Sequence, residues 1–345
     1  MKTSLLFLLI SFCYFSKAQT ETVRDPKDAG DYEKRSKTKY EIGDYRGAIA
    51  DLNKAIELNP KDAYPYSCRG AVKHALKDYQ GAINDFKRAI ELDPKYSWAY
   101  GQRGLSKYAL GDFKGAILDY NKAIELDPKF SKAYYNRGLA KYALGDFQGA
   151  ILDQNKAIEL DPKDAKSYGN RGNAKGVLGD YQGAIEDYTK AIEVDPKDAL
   201  AYNNRGIAKN DLGDHQSAIE DYNKVIELDP KNPNVYYNRG IAKDDLGDHQ
   251  GAIEDYNKVI ELDPKDGNAY SQRGFTKGVL RDFQGAIEDY NKVLDLDPKD
   301  AKAYNNRGLA KYALGEHQEA CLDWNKAGEL GLSKAYELIK EYCKE

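Results

Sequence analysis

At 345 residues the chain is long enough for two or three ordinary domains, and its 41% apolar and 31% charged content suits a water-soluble folded protein. A formal charge of −4 argues against nucleic acid and anionic membrane surfaces as partners, since binding them requires clustered cations.

In chain order, residues 1–18 come first. Lys2 gives a positive start, Leu5 to Phe15 is an apolar run, and Ser16-Lys17-Ala18 is a small-x-small cleavage site. This predicts a signal peptide, a mature start at Gln19 and export to a periplasm or the exterior. The apolar run is shorter than the ~20 residues that span a bilayer, so no integral membrane segment is expected after processing. Removing Lys2 and Lys17 and no acid takes the formal charge from −4 to −6. Residues 19–28 form a short polar linker.

From residue 29 the chain repeats itself every 34 residues. Nine copies run without a gap over 29–62, 63–96, 97–130, 131–164, 165–198, 199–232, 233–266, 267–300 and 301–334. Numbering positions within a copy, a first helix is predicted over 1–14 and a second over 16–30. Gly at position 15 makes the turn in seven copies, and Asp or Glu at 16 caps the second helix. Proline at position 32 then stops that helix in eight copies, from Pro60 to Pro298, and Leu332 stands there in the ninth. Residues 335–345 place Ala335, Leu338, Ile339, Tyr342 and Cys343 at helical spacing, which predicts a capping helix.

The pattern resembles the tetratricopeptide repeat family over nearly the whole mature chain. Position 4 is Tyr in all nine copies, position 8 is Gly in eight with Ser36 in the first, and position 20 is Ala throughout. Position 24 is large, from Tyr120 to Trp324, with Gln154 as the poorest fit. The resemblance implies an all-α, right-handed superhelical solenoid of helix-turn-helix repeats. It also implies a non-catalytic scaffold that binds a peptide or partner protein in a concave groove, without a cofactor. A self-associating structural protein of the cell envelope is the alternative.

Two constant positions depart from the family pattern: Arg at 7 and Lys at 11. Position 23 is always Asp, so an Arg–Asp pair between the two helices of each copy is expected, as in Arg137 with Asp153.

In this family the groove is lined by first-helix positions 2, 5, 6, 9, 12 and 13. Copies 2 to 4 bring Tyr64, Trp98, Tyr108, Tyr135 and Tyr142 there, beside Cys68 and His74. Such rings suit a binding hot spot, although a ring on a first helix also packs against its neighbours. Asn136, Asn170, Asn204 and Asn238 add one amide per copy, able to bond a peptide main chain. Asp211, Asp244 and Asp245, with Asn210, make the next stretch acidic and attractive to basic side chains. Some relatives grip a C-terminal carboxylate in a lysine and asparagine clamp. Here Lys132, Lys166 and Asn170 are only fragments of it, and no clamp is expected.

No nucleophile, phosphate-loop or metalloprotease motif occurs, so no catalytic residue is assigned. His215, His249 and His317 occupy position 17, where other copies carry Tyr or Phe, and a solenoid holds them a repeat or more apart. No metal site is expected. Of the cysteines beyond the leader, Cys321 and Cys343 either form a disulfide in an oxidising compartment or remain buried thiols.

Overall fold

The computed structural model describes residues 25–343; the predicted leader, residues 19–24 and the last two residues lie outside them. Among the described residues there are nineteen helices and no strand. They fall into two compact units that divide after Leu178, between the helices of the fifth repeat.

The first unit holds α1 (Ala29–Glu41), α2 (Tyr45–Leu58), α3 (Ala63–Ala75), α4 (Tyr79–Leu92), α5 (Ser97–Ala109), α6 (Phe113–Leu126), α7 (Ser131–Ala143), α8 (Phe147–Leu160) and α9 (Ala165–Val177). The second holds α10 (Tyr181–Val194), α11 (Ala199–Asp211), α12 (His215–Leu228), α13 (Pro233–Leu246), α14 (His249–Leu262), α15 (Gly267–Val279), α16 (Phe283–Leu296), α17 (Ala301–Ala313), α18 (His317–Glu329) and α19 (Ser333–Tyr342).

Each hairpin turns through a residue at position 15 with positive φ, where glycine has no side chain to strain. Lys77 and Arg281 adopt the same left-handed conformation at φ 65° and 63°. The aspartate that follows caps the second helix through its side chain, as Asp112 does for Gly115 N–H. Glu316 makes no such bond to α18.

The hairpin closes over position 20, which is almost fully buried in every copy, from Ala48 to Ala320. Position 24 fills the space beside it, with Phe86, Tyr120, Tyr256 and Trp324 wholly buried. Glycine at position 8 permits this, since a Cβ on Gly104 would stand 2.9 Å from the Tyr120 ring and one on Gly240 would stand 2.7 Å from Tyr256. Gln154 replaces the ring in the fourth copy; its Nε2 donates to Tyr135 O at 3.1 Å, and its Oε1 has no partner among the described residues.

The expected Arg–Asp pair is larger than its two members. In eight copies the position 7 arginine donates twice to the position 23 aspartate, with Nε at 2.8–2.9 Å and Nη2 at 2.5–2.6 Å. Lys at position 11 reaches the same carboxylate at 2.7–2.9 Å. In all nine copies the guanidinium lies 5.3–5.6 Å from the centre of the position 4 tyrosine ring.

The remaining arginine nitrogen reaches back to the preceding copy. Arg69, Arg137, Arg171, Arg239, Arg273 and Arg307 donate to Asn53, Asn121, Asn155, Asn223, Asn257 and Asn291 at 2.5–2.7 Å. Arg205 donates to Thr189 at 3.1 Å. Before Arg103 the equivalent residue is Lys87, a cation that cannot accept the bond.

At the far end α19 lies along α18, with Ala335 fully buried and Tyr336 Oη donating to Gly328 O at 3.0 Å. A Cys321–Cys343 disulfide joins the two helices, with the Cα atoms 5.8 Å apart. Cys68 is buried and takes part in no disulfide among the described residues. No described helix is long and apolar enough to cross a membrane.

Candidate functional site: the first-helix wall

Successive first helices touch within a unit, as α3 with α5, α5 with α7, α7 with α9, α11 with α13 and α15 with α17. No two successive second helices come as close within a unit among the described residues. Each unit therefore curves with its first helices inside, and positions 2, 5, 6, 9, 12 and 13 face that wall.

In the first unit much of this wall is closed by its own side chains. Trp98 is only 7% exposed, stacked on Tyr96 at 5.9 Å and edge-on to Phe86 at 6.0 Å. It belongs to the core, which corrects its assignment to a binding surface. Cys68 is buried, and His74 is buried with Nδ1 2.9 Å from Ser106 Oγ. Desolvation lowers the His74 pKa to about 4, so it stands neutral at ordinary pH. Tyr64 packs against the same cluster. Tyr108 and Tyr142 meet Phe113 and Phe147 edge-on at 5.1 Å, and Tyr142 keeps 36% of its surface in solvent.

Position 34 explains this closure. Before the other first helices from α3 onward it carries Asp or Asn, whose side chain caps the helix, but Tyr96 and Phe130 stand there before α5 and α7, which have no side-chain cap. These rings fold over the wall instead. Phe130 covers Gly101, where a Cβ would stand 2.9 Å from the ring.

Beside Phe130 a cleft of about 490 Å³ is lined by Gln102, Leu105, Lys132, Tyr135, Asn136 and Lys166. Burial pushes the Tyr135 pKa up to about 12 despite a hydrogen bond with Asn170. Asn136 and Asn170 therefore both lie beside this ring, and the latter is already engaged with it.

The second unit has a different wall. Position 9 carries apolar side chains in four consecutive copies: Ile207 is 39% exposed, Phe275 56% and Leu309 43%, with Ile241 half-buried between them. In the first unit the same position holds buried Ala71 and Leu105. This exposed stripe escaped the sequence reading, although four apolar residues at one inner-wall position were visible as its signal.

Position 6 runs beside the stripe as Asn204, Asn238, Gln272 and Asn306. The amides form a network: Asn238 Nδ2 donates to Asn203 Oδ1 at 3.2 Å, and Asn203 Nδ2 donates to Asn204 Oδ1 at 3.2 Å.

The three wall aspartates differ in availability. Asp244 accepts from Tyr256 Oη at 3.0 Å and Thr276 Oγ1 at 2.6 Å, and pairs with His249 Nδ1 at 3.1 Å. It ties the seventh and eighth copies together, which corrects its assignment as a free acidic ligand group. Asp211 is exposed, and Asp245 keeps 45% of its side chain in solvent with Asn210 Nδ2 at 3.4 Å.

The position 17 histidines now have a local explanation. Where position 12 is Tyr, position 17 supplies a ring against it, as in Tyr312 with His317 at 4.4 Å. Where position 12 becomes Asn210 or Asp244, His215 and His249 bond it through Nδ1 at 2.8 and 3.1 Å. Among the described residues no three His, Cys, Asp or Glu side chains gather as a metal site.

Helical hairpins stacked at a fixed 34-residue period, with paired first and second helices, define an α-helical solenoid repeat protein. The chain belongs to the tetratricopeptide repeat family, whose models match it over most of its length. The "TPR repeat" model matches 37–77, 72–111, 104–145, 208–243 and 282–315; "Tetratricopeptide repeat" models match 131–164, 165–198, 233–266 and 187–220.

A tetratricopeptide repeat protein from Parabacteroides merdae superposes with a TM-score of 0.54 at 23% identity, over 72% of this chain and 99% of its own. The APC/C hetero-tetramer Cut9-Hcn1 gives 0.52 at 15% identity, over 92% of this chain and 76% of its own. A MamA crystal structure is 29% identical over 52% of this chain and 96% of its own, with a TM-score of 0.46. No curated protein matches the chain. Family membership gives the general role of a protein–protein interaction scaffold, generally non-catalytic.

Proposed function

We propose that this chain is an exported scaffold that captures a segment of a partner protein on the first-helix wall of its second unit. The observation that carries the reading is the stripe Ile207, Ile241, Phe275 and Leu309, left in solvent beside a row of side-chain amides. Apolar surface at repeated positions, rimmed by polar groups, is what a partner must desolvate to gain affinity. Replacing Phe275 with Asp should abolish partner capture from the source cells while the circular dichroism spectrum stays unchanged. Capture equal to wild type would sink the reading.

Export is part of the proposal. The leader over 1–18 supports it, and the Cys321–Cys343 disulfide suits an oxidising compartment. Amino-terminal sequencing of the cell-derived protein should begin at Gln19.

Self-association is a second reading with its own observation. Leu118 and Leu152 stand 69% and 61% exposed at position 22 of α6 and α8, where the next four copies carry Glu and the ninth carries Leu322, again 69% exposed. Sedimentation at rising concentration separates the two, since a chain that stays monomeric removes this second reading.

A further inference from the structure

The row of amides and the row of apolar side chains share one period, one residue of each per repeat, and that period restricts what conformation a bound segment can take. Neighbouring walls are in direct contact. Asn238 reaches Asn203 across one repeat boundary at 3.2 Å, and Thr276 reaches Asp244 across the next at 2.6 Å. Helices that meet only through such side chains have axes about 10 Å apart, so Ile207, Ile241, Phe275 and Leu309 recur at about that interval.

A β-strand presents one face at multiples of about 6.8 Å, which falls out of step with such a row. An α-helix can match it approximately every seventh residue, at about 10.5 Å, but its backbone is internally bonded and offers nothing to the amides. A polyproline II chain advances about 9.3 Å in each three-residue turn and has no internal hydrogen bonds. It places one side chain per turn on the stripe and leaves main-chain groups free for the second donor or acceptor of Asn238, Gln272 and Asn306, each of which also makes a bond within the protein.

Charge limits the occupant further. Asp211 and Asp245 are the solvent-facing carboxylates on the wall positions of α11 and α13, and those positions carry no lysine or arginine. We infer that the wall of the second unit takes a polyproline II segment with an apolar residue at every third position and lysine or arginine between where the segment crosses α11 and α13; α17 carries Lys302 at its own wall position. This rests on the capture function proposed above and names the partner chemistry for that same surface.

The test uses the full chain and four fluorescent twelve-residue peptides: four repeats of Leu-Pro-Lys, a scrambled version, four repeats of Leu-Pro-Glu, and a lysine-rich helix former with leucine in a heptad pattern. The Leu-Pro-Lys peptide should bind at least ten-fold more tightly than each of the others. Phe275→Ala should weaken it about ten-fold or more, and Asp245→Asn a few-fold with a shallower salt dependence.

Phe275 is more than half exposed, so its truncation leaves the fold intact. If the heptad peptide binds more tightly and depends on Phe275, the polyproline II inference fails and the capture function stands. If no peptide binds while capture of the cellular partner still needs Phe275, the result is the same. If neither peptide binding nor cellular capture responds to Phe275, both fail.

Discussion

The two units share one frame and differ in their inner walls. In the first, Tyr96 and Phe130 occupy position 34 and lie over the wall, Trp98 is sunk between Tyr96 and Phe86, and position 9 is buried at Ala71 and Leu105. In the second, position 34 keeps Asp198, Asn232, Asp266 and Asp300 as helix caps, and position 9 opens as Ile207, Phe275 and Leu309. A cap of this kind contributes about 1 kcal/mol. Two first helices forgo it and gain aromatic burial, at the cost of an open binding surface. A solenoid can therefore silence part of its groove by changing a residue outside the groove.

Trp98 marks the largest expected difference between the two units. Trp98→Ala should destabilise the protein by about 3–5 kcal/mol in urea, as a core truncation does, whereas Phe275→Ala should cost less than about 1 kcal/mol. A small loss at Trp98 would return it to the binding wall.

Acid titration is the next probe, because the buried His74 has no counterpart in the second unit. Its folded pKa of about 4 lies below the ordinary value of 6.5, so the unfolded chain takes up the proton first. Stability should fall by roughly 3 kcal/mol as pH drops from 6.5 to 4 and then level off from this source. His74→Gln should flatten that slope in thermal melts. An unchanged slope would mean that His74 is not held neutral.

Position 24 offers a finer contrast. Tyr256 donates to Asp244, so Tyr256→Phe should cost about 1–2 kcal/mol. The Tyr120 hydroxyl is buried with no partner among the described residues, so Tyr120→Phe should be neutral or stabilising by up to about 1 kcal/mol. Equal losses at both sites would show that the Tyr120 hydroxyl is bonded in solution.

The smallest effects belong to the turns, where the units should agree. Lys77→Gly and Arg281→Gly relieve a left-handed backbone and should each raise stability by about 0.5–1 kcal/mol. Calorimetric melts resolve shifts of this size.

The hairpin frame was legible because its residues recur: Gly at 8, Ala at 20 and a ring at 24 can be read from one copy and checked in eight others. The Arg–Asp pair was legible for the same reason. The third partner, Lys at 11, was read only as a departure from the family. The link to Asn at 25 was missed because it joins different copies, and each copy read alone shows no use for it.

The inner wall was only partly legible, since exposure depends on neighbours. Trp98 looked like a surface ring until Tyr96 covered it, and Asp244 looked free until Tyr256, Thr276 and His249 reached it. The exchange of aspartate for aromatic rings at 96 and 130 was the signal that would have revealed the closed wall.

The arginine link to the preceding hairpin has a consequence for how the chain comes apart. Each such bond makes an opening hairpin disturb the one before it, so linked hairpins tend to unfold as a group. Lys87 interrupts the series before Arg103, and that boundary is held instead by the Phe86–Trp98 packing and the buried His74–Ser106 hydrogen bond. The arginine ties thus run in two series, one joining the first two hairpins and one running onward from the third, so opening passes along each series by a different route than across the boundary between them.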